Sequence, residues 1–311
     1  MGLTFVSEPV RVRTPATSAN LGPGFDTLGL ALALYDDLSA RVTGDRFTVS
    51  VSGEGAGELP ADESHLVVRA MLATFDELGG RPAGVAVECV NRIPQARGLG
   101  SSSAAIVGGV QLARGLVEEQ ITDEDALRIA ARLEGHPDNV APCLLGGFTI
   151  AWTEGAGARA VRLPTADAVR PTVFVPQERG LTSTARAALP ASVPHADAAF
   201  NTGRAALLVH ALQHDPDLLF AATEDRLHQG YRAEAMPGTT SLVASLRSVG
   251  VAAVVSGAGP TVLALTSVPA DFHPGTQWRA ETLGVDADGA LVRGSMVEHA
   301  ERDPVAAGRK S

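Results

Sequence analysis

Apolar and basic residues alternate over 10–13, which predicts a short strand, and a second alternation over 47–51 predicts another. Between them a glycine-rich loop, Asn20-Leu21-Gly22-Pro23-Gly24-Phe25-Asp26, gives way to an apolar run over 28–34. Apolar residues at helical spacing over 65–78 predict a helix, stopped by Gly79-Gly80. Residues 84–90 read as a strand. A second glycine-rich segment, 94–104, opens a helix running to about 116 that is apolar almost all round, the mark of a buried helix. Gly108-Gly109 inside it each lower helix propensity by about 1 kcal/mol, which predicts close packing against a strand. Residues 123–134 predict an amphipathic helix with Thr122 or Asp123 as its N-cap.

Residues 144–150 suggest a turn into a strand, and periodicity then weakens over 154–170, a stretch rich in Gly, Ala and Pro. A domain boundary is expected there, dividing 1–162 from 163–293 and leaving a polar, frayed tail over 294–311. The second half predicts strands over 172–175, 251–256 and 261–265 and helices over 201–210, 216–229 and 239–249, the last ended by Gly250. Strands and helices are mixed without an internal repeat, so the expected class is α+β.

Composition narrows the function. The chain has 311 residues, 45% of them hydrophobic and 19% charged, enough for a substantial core and two compact domains. A net charge of −10 offers no footprint for nucleic acid or an anionic membrane. The opening MGLTFVSEPV has no cationic n-region and no apolar h-region, so no secretory leader is expected, and no apolar run is long enough to span a membrane. Cys89 and Cys143 stand apart with no metal-ligand pattern, as buried reduced thiols of a cytoplasmic protein would. The single lysine, Lys310, is penultimate, which argues against Schiff-base chemistry and against a Walker A loop. A phosphate would have to be held by backbone amides, hydroxyls, arginine and metal.

Pro94-Gln95-Ala96-Arg97-Gly98-Leu99-Gly100-Ser101-Ser102-Ser103-Ala104 has that chemistry. Gly98 and Gly100 admit backbone conformations closed to other residues. The free amides and dipole of the following helix start favour an anion, and the serine hydroxyls add donors. Read by itself, the segment fits a tight strand-to-helix turn with Ser101 as an ordinary N-cap equally well.

The segment resembles the ATP-binding loop of the GHMP kinases. Two more of that family's motifs flank it in the same order: Pro15-Ala16 through Asn20-Leu21-Gly22-Pro23-Gly24-Phe25-Asp26 to Gly29, and Ser256-Gly257-Ala258-Gly259-Pro260-Thr261. The form of the first motif is similar to that of the homoserine kinases in particular. So are Glu134-Gly135-His136-Pro137-Asp138-Asn139-Val140-Ala141-Pro142, Thr182-Ser183-Thr184-Ala185-Arg186, and Asp225-Arg226-Leu227-His228-Gln229 with Tyr231-Arg232. The likeness covers roughly residues 10–265.

The resemblance implies a two-domain fold with the active site between an N-terminal ATP-binding domain, containing a left-handed β-α-β crossover, and a C-terminal domain. It implies MgATP and L-homoserine as ligands, a step in threonine biosynthesis, and leaves room for a homodimer. It places Asn20 and Asp26 at the substrate ammonium, Arg186 and Arg232 at its carboxylate with Thr182 in support, Asp138 near the accepting hydroxyl and Gly259 in the substrate pocket. Segment 94–104 would hold the triphosphate, and Ser102 and Glu134 the Mg²⁺. The residue types suit a zwitterion, whose carboxylate favours arginine. Each also has a plainer reading: Asn20 and Asp26 as turn formers, Arg186 and Arg232 as solvated arginines, His136 as structural, His228 on a helix face, Arg97 at phosphate or in solvent. Mevalonate kinases use a lysine near the first motif, which is absent here. Where relatives often carry an asparagine before the Leu-Val of the first helix, this chain has His65, which leaves the adenine contacts unassigned.

Overall fold

The computed structural model describes residues 3–119, 121–180 and 182–293, with Thr182 and Arg293 described by backbone alone. The tail expected over 294–311 lies outside the described residues.

In chain order the first half runs β1 (Val10–Ala19), β2 (Leu28–Thr43), β3 (Thr48–Gly53), α1 (Leu66–Leu78), β4 (Gly84–Asn91), α2 (Ser101–Gly115), α3 (Asp123–Glu134), α4 (Pro137–Leu145), β5 (Phe148–Glu154) and β6 (Gly157–Leu163). The second runs β7 (Thr172–Pro176), α5 (Thr182–Ala187), α6 (His195–Gln213), α7 (Leu219–Ala222), α8 (Gln229–Arg232), α9 (Pro237–Ser248), β8 (Ala253–Val255), β9 (Val262–Ala264), β10 (Trp278–Thr282) and β11 (Leu291–Arg293). The class is α+β, as expected.

β2 organises the first sheet. It pairs antiparallel with β1 on one side and, on the other, with β4 over its second half and β5 over its first. β3 joins β4 in parallel, with α1 as the crossover. β11 returns from the far end of the chain to pair with β1. The second sheet has four antiparallel strands in the order β10-β7-β9-β8. One hydrophobic cluster runs through both sheets, from Leu21, Ile93 and Leu99 to Val173, Val254 and Leu263.

Several elements exceed their sequence signal, each for a physical reason. β1 continues to Ala19 because residues 14–19 are buried on both faces, which removes the alternation a strand is read from. α4 carries no helical signal in the sequence because it holds two prolines, yet Pro137 occupies the first turn, where no N–H is needed. The single helix expected over 216–229 is broken. α7 stops at Ala222, and Asp225 then accepts the amides of Leu227, His228 and Gln229, restarting the chain as α8. The hairpin of β5 and β6 fills part of the stretch that read as featureless.

The glycines inside α2 answer to two neighbours. A Cβ on Gly108 would lie 2.0 Å from the Leu38 side chain on β2, as expected, whereas one on Gly109 would lie 2.3 Å from the Val67 carbonyl of α1. Of the two N-caps considered for α3, Thr122 serves, in a reciprocal capping box with Asp125. His65 caps α1, its Nδ1 accepting from the Val67 amide at 3.2 Å. Cys89 and Cys143 are free and buried. Among the described residues no helix is long and apolar enough to cross a membrane.

Asp36 on β2 ties the first sheet to the glycine-rich segment. Its Oδ1 accepts the amides of Arg92 at 2.6 Å and Ile93 at 2.9 Å, where β4 gives way to that segment. Burial pushes its carboxyl up from 3.8 to about 6. Between pH 3.8 and about 6 the folded state therefore holds a proton that the unfolded chain has lost. Stability from this group is present below the ordinary carboxylate pKa and falls as pH rises to about 6, by on the order of 3 kcal/mol. Asp36→Asn keeps the acceptor and removes the titration. Urea unfolding across that window should show a fall in the parent that the variant lacks; parallel curves would refute the burial argument.

Candidate active site

The glycine-rich segment is locked before any ligand is considered. Gly98 and Gly100 sit at φ +76° and +71°, the left-handed region that glycine occupies without penalty. Neither has room for a side chain: a Cβ on Gly98 would lie 2.3 Å from the Ser256 carbonyl, and one on Gly100 would lie 2.0 Å from Thr17 Oγ1. Gly100, rather than Ser101, is the N-cap of α2, and no side chain caps that helix. Its first-turn amides open into a cavity of about 470 Å³ bordered by Ser101 and Ser102, an electrostatic seat for an anion.

The three glycine-rich segments meet here. The Thr17 amide donates to Leu99 O at 3.0 Å, Ser256 Oγ to Gly98 O at 2.6 Å, the Thr261 amide to Arg97 O at 3.2 Å and the Gly257 amide to Ala19 O at 3.1 Å. Gln95, Ala96 and Arg97 also border the cavity. The Arg97 guanidinium donates to the carbonyls of Gln95, Pro176 and Gln177, each at 2.9 Å, so it neither floats in solvent nor stands free for phosphate. Pro94, Leu99 and Ala104 are buried and shape the segment from behind.

Glu134, at the end of α3, accepts Ser102 Oγ at 2.7 Å and Ser103 Oγ at 2.8 Å on one carboxylate oxygen. Asp138, in the first turn of α4, is buried, and its Oδ1 lies 2.5 Å from His136 Nδ1. That hydrogen bond raises the His136 pKa above its ordinary 6.5, against the opposing effect of burial.

At the other end of the cavity the loop 20–26 takes left-handed φ at Asn20, Leu21 and Asp26. Asn and Asp tolerate this; Leu21 is held there by full burial. The Asn20 side chain is committed within the protein, Nδ2 to Gly257 O at 2.9 Å and Oδ1 to the Asp26 amide at 2.9 Å. Asp26 forms a two-point ion pair with Arg186, at 2.9 and 3.1 Å. Arg232 is only 2% exposed; Nε donates to Ala185 O at 3.0 Å and Nη1 to His228 Nδ1 at 3.0 Å. Its plainer reading as a solvated arginine does not hold. The Thr182 side chain lies outside what is described, and Gly259 stands behind Gly257 and Ala258, which border the cavity.

Residues 65–147 match the family described as the GHMP kinases N terminal domain, and residues 206–272 match the GHMP kinases C terminal family. A homoserine kinase of Streptomyces coelicolor is 55% identical over 94% of this chain and 96% of its own length. That of Clavibacter michiganensis is 53% identical over 91% and 94%. The chain belongs to the homoserine kinases. Within that family the crystal structure of the Cytophaga hutchinsonii homoserine kinase superposes with a TM-score of 0.79 at 26% identity, covering 94% of this chain and 99% of its own. The fold extends further: an L. major mevalonate kinase superposes at 0.70 with 13% identity, over 92% of this chain and 99% of its own.

His228 reads in its family string as a helix-face residue, but it is fully buried beneath Arg232. Its place four residues before an arginine was the available signal. The Thr17–Asn139 and Ser18–Ser256 contacts, both 2.8 Å, join residues distant in sequence and had none.

Gly100→Ala should lose nucleotide affinity and more than about 1 kcal/mol of stability, since it adds a clash to a left-handed φ. Gly155→Ala, where a Cβ meets nothing within 4 Å, serves as the control. Thermal unfolding with and without nucleotide compares them; equal midpoints would show that the close approach at Gly100 is dispensable.

Proposed function

We propose that this protein transfers the γ-phosphoryl group of ATP to the side-chain hydroxyl of L-homoserine, giving O-phospho-L-homoserine and ADP, in cytoplasmic threonine biosynthesis. The reading rests above all on the paired Asp26 and Arg186 beside a buried Arg232, in the cavity that also receives the uncapped start of α2. Asp26 and Arg186 neutralise each other there, and a zwitterionic amino acid exchanges like for like: its ammonium takes the carboxylate and its carboxylate the guanidinium. No net charge is stranded by the exchange, which favours an amino acid over a neutral sugar or a simple hydroxy acid.

In this reading residues 1–162 form the nucleotide domain and 163–293 supply the arginines. The triphosphate lies on the first turn of α2 within segment 94–104. Ser102 and Glu134 suit magnesium: their donors are all hard oxygens, and that ion takes few protein ligands and keeps the rest of its shell as water and phosphate. When bound, it neutralises phosphate charge. The substrate oxygen attacks the γ-phosphorus as the bond to the ADP oxygen breaks, through a loose transition state in which positioning outweighs basicity. Asp138 either takes the hydroxyl proton or orients the hydroxyl; His136 holds its carboxylate in place.

ADP release with MgATP and a panel of L-homoserine, L-serine, mevalonate, shikimate and galactose tests the reading. Homoserine alone should support turnover; another member doing so would keep the kinase and overturn the pocket. Arg186→Ala should raise KM for homoserine at least tenfold and leave nucleotide affinity nearly intact. Asp138→Asn should lower kcat by about 10²–10⁴-fold if Asp138 is the base, whereas near-normal turnover leaves it only an orienting role.

A further inference from the structure

His228 is a fully buried imidazole that the phosphoryl transfer does not use. Both of its nitrogens are engaged. A guanidinium has donors and no acceptor, so Arg232 Nη1, 3.0 Å from His228 Nδ1, can only donate, and Nδ1 must be bare. The carbonyl of Gly22, 2.8 Å from Nε2, can only accept, so Nε2 must carry the proton. One neutral tautomer satisfies both contacts. Burial, pushing the His228 pKa down, favours that neutral form. Asp225 lies 3.7 Å from Nε2, but its carboxylate is already held by the amides that start α8.

The imidazole also stacks on Phe25, with ring centroids 5.1 Å apart and planes 27° from parallel, and the Arg232 guanidinium lies 5.5 Å over the same Phe25 ring. Gly22 and Phe25 belong to the loop that ends in Asp26, and Arg232 comes from α8 in the other half of the chain. His228 is thus a piece through which the Asp26 loop and α8 touch. With Nε on Ala185 O and Nη1 on His228 and, at 3.5 Å, Gly257 O, the Arg232 guanidinium has a set direction where it borders the cavity.

We infer that His228 is a positioning residue that fixes the separation between the Asp26 loop and the Arg232 guanidinium, and thereby how far the reacting hydroxyl of a bound amino acid reaches toward the α2 start. The inference rests on the amino-acid pocket proposed above. A fixed α-carbon lets a hydroxyl one methylene further out arrive where a shorter side chain falls short.

Two substitutions separate the tethers. His228→Asn places an acceptor near Nδ1 for Arg232 and gives up Gly22. His228→Gln reaches Gly22 and gives up Arg232. Each should raise KM for homoserine about tenfold, reduce the preference for homoserine over serine, and move KM for ATP by less than about twofold. An unchanged homoserine KM in both, or an ATP KM that rises in step, would overturn the inference. Imidazole ¹⁵N NMR of the unsubstituted protein gives a readout independent of how the variants fold. A neutral ring protonated on Nε2 is expected; a proton on Nδ1 would overturn the link to Arg232. If the parent shows no homoserine-dependent ADP release, the functional reading fails by itself, and the tautomer still decides whether His228 joins loop and arginine.

Discussion

The close backbone approach at Gly98 is the constraint on which the site depends. With the Ser256 carbonyl where a Cβ would stand, and Ser256 Oγ bonded back to Gly98 O, the loop before α2 and the loop after β8 become one surface. Arg97 extends the seam by donating to carbonyls at the end of β7. The uncapped start of α2 is thereby aimed into the cavity by main-chain contacts rather than by a lysine. An anion seat made of backbone needs no reorganisation when charge arrives, which is what stabilising a spread-out phosphoryl transition state requires.

The electrostatics follow from burial. A chain with a net charge of −10 nonetheless buries an arginine at the edge of its cavity. Asp26 answers Arg186, but Arg232 has no carboxylate at ion-pair distance among the described residues. Burial and the neighbouring Arg186 guanidinium both push its pKa down. A buried guanidinium is tolerable because carbonyls and a neutral imidazole occupy its donors. The same low-dielectric surroundings raise Asp36, so the chain places one poorly solvated acid and one poorly solvated base along a single cavity.

Much of this was legible in the chain. Residues 65–78 and 123–134 announced their helices through apolar spacing and stop signals, because a half-buried helix must show one face to water. The glycines of segment 94–104 and the serines after them announced an anion seat, and the ordered motifs announced the family. Elements buried on both sides, such as the end of β1, or crossed by prolines, such as α4, gave no such contrast.

By itself the sequence determined the chemistry available: a single, penultimate lysine and no Walker A pattern, a glycine-serine loop, arginines and carboxylates in family order. Those depend only on residue type and local spacing. Tertiary structure decided which groups remain free to act. Asn20 and Arg97 proved committed to carbonyls, Arg232 buried, and His228 wedged between Gly22 and Arg232. Such assignments turn on contacts between residues up to 237 positions apart. Whether a polar atom faces solvent, ligand or a partner is settled only when the two halves of the chain close on one another.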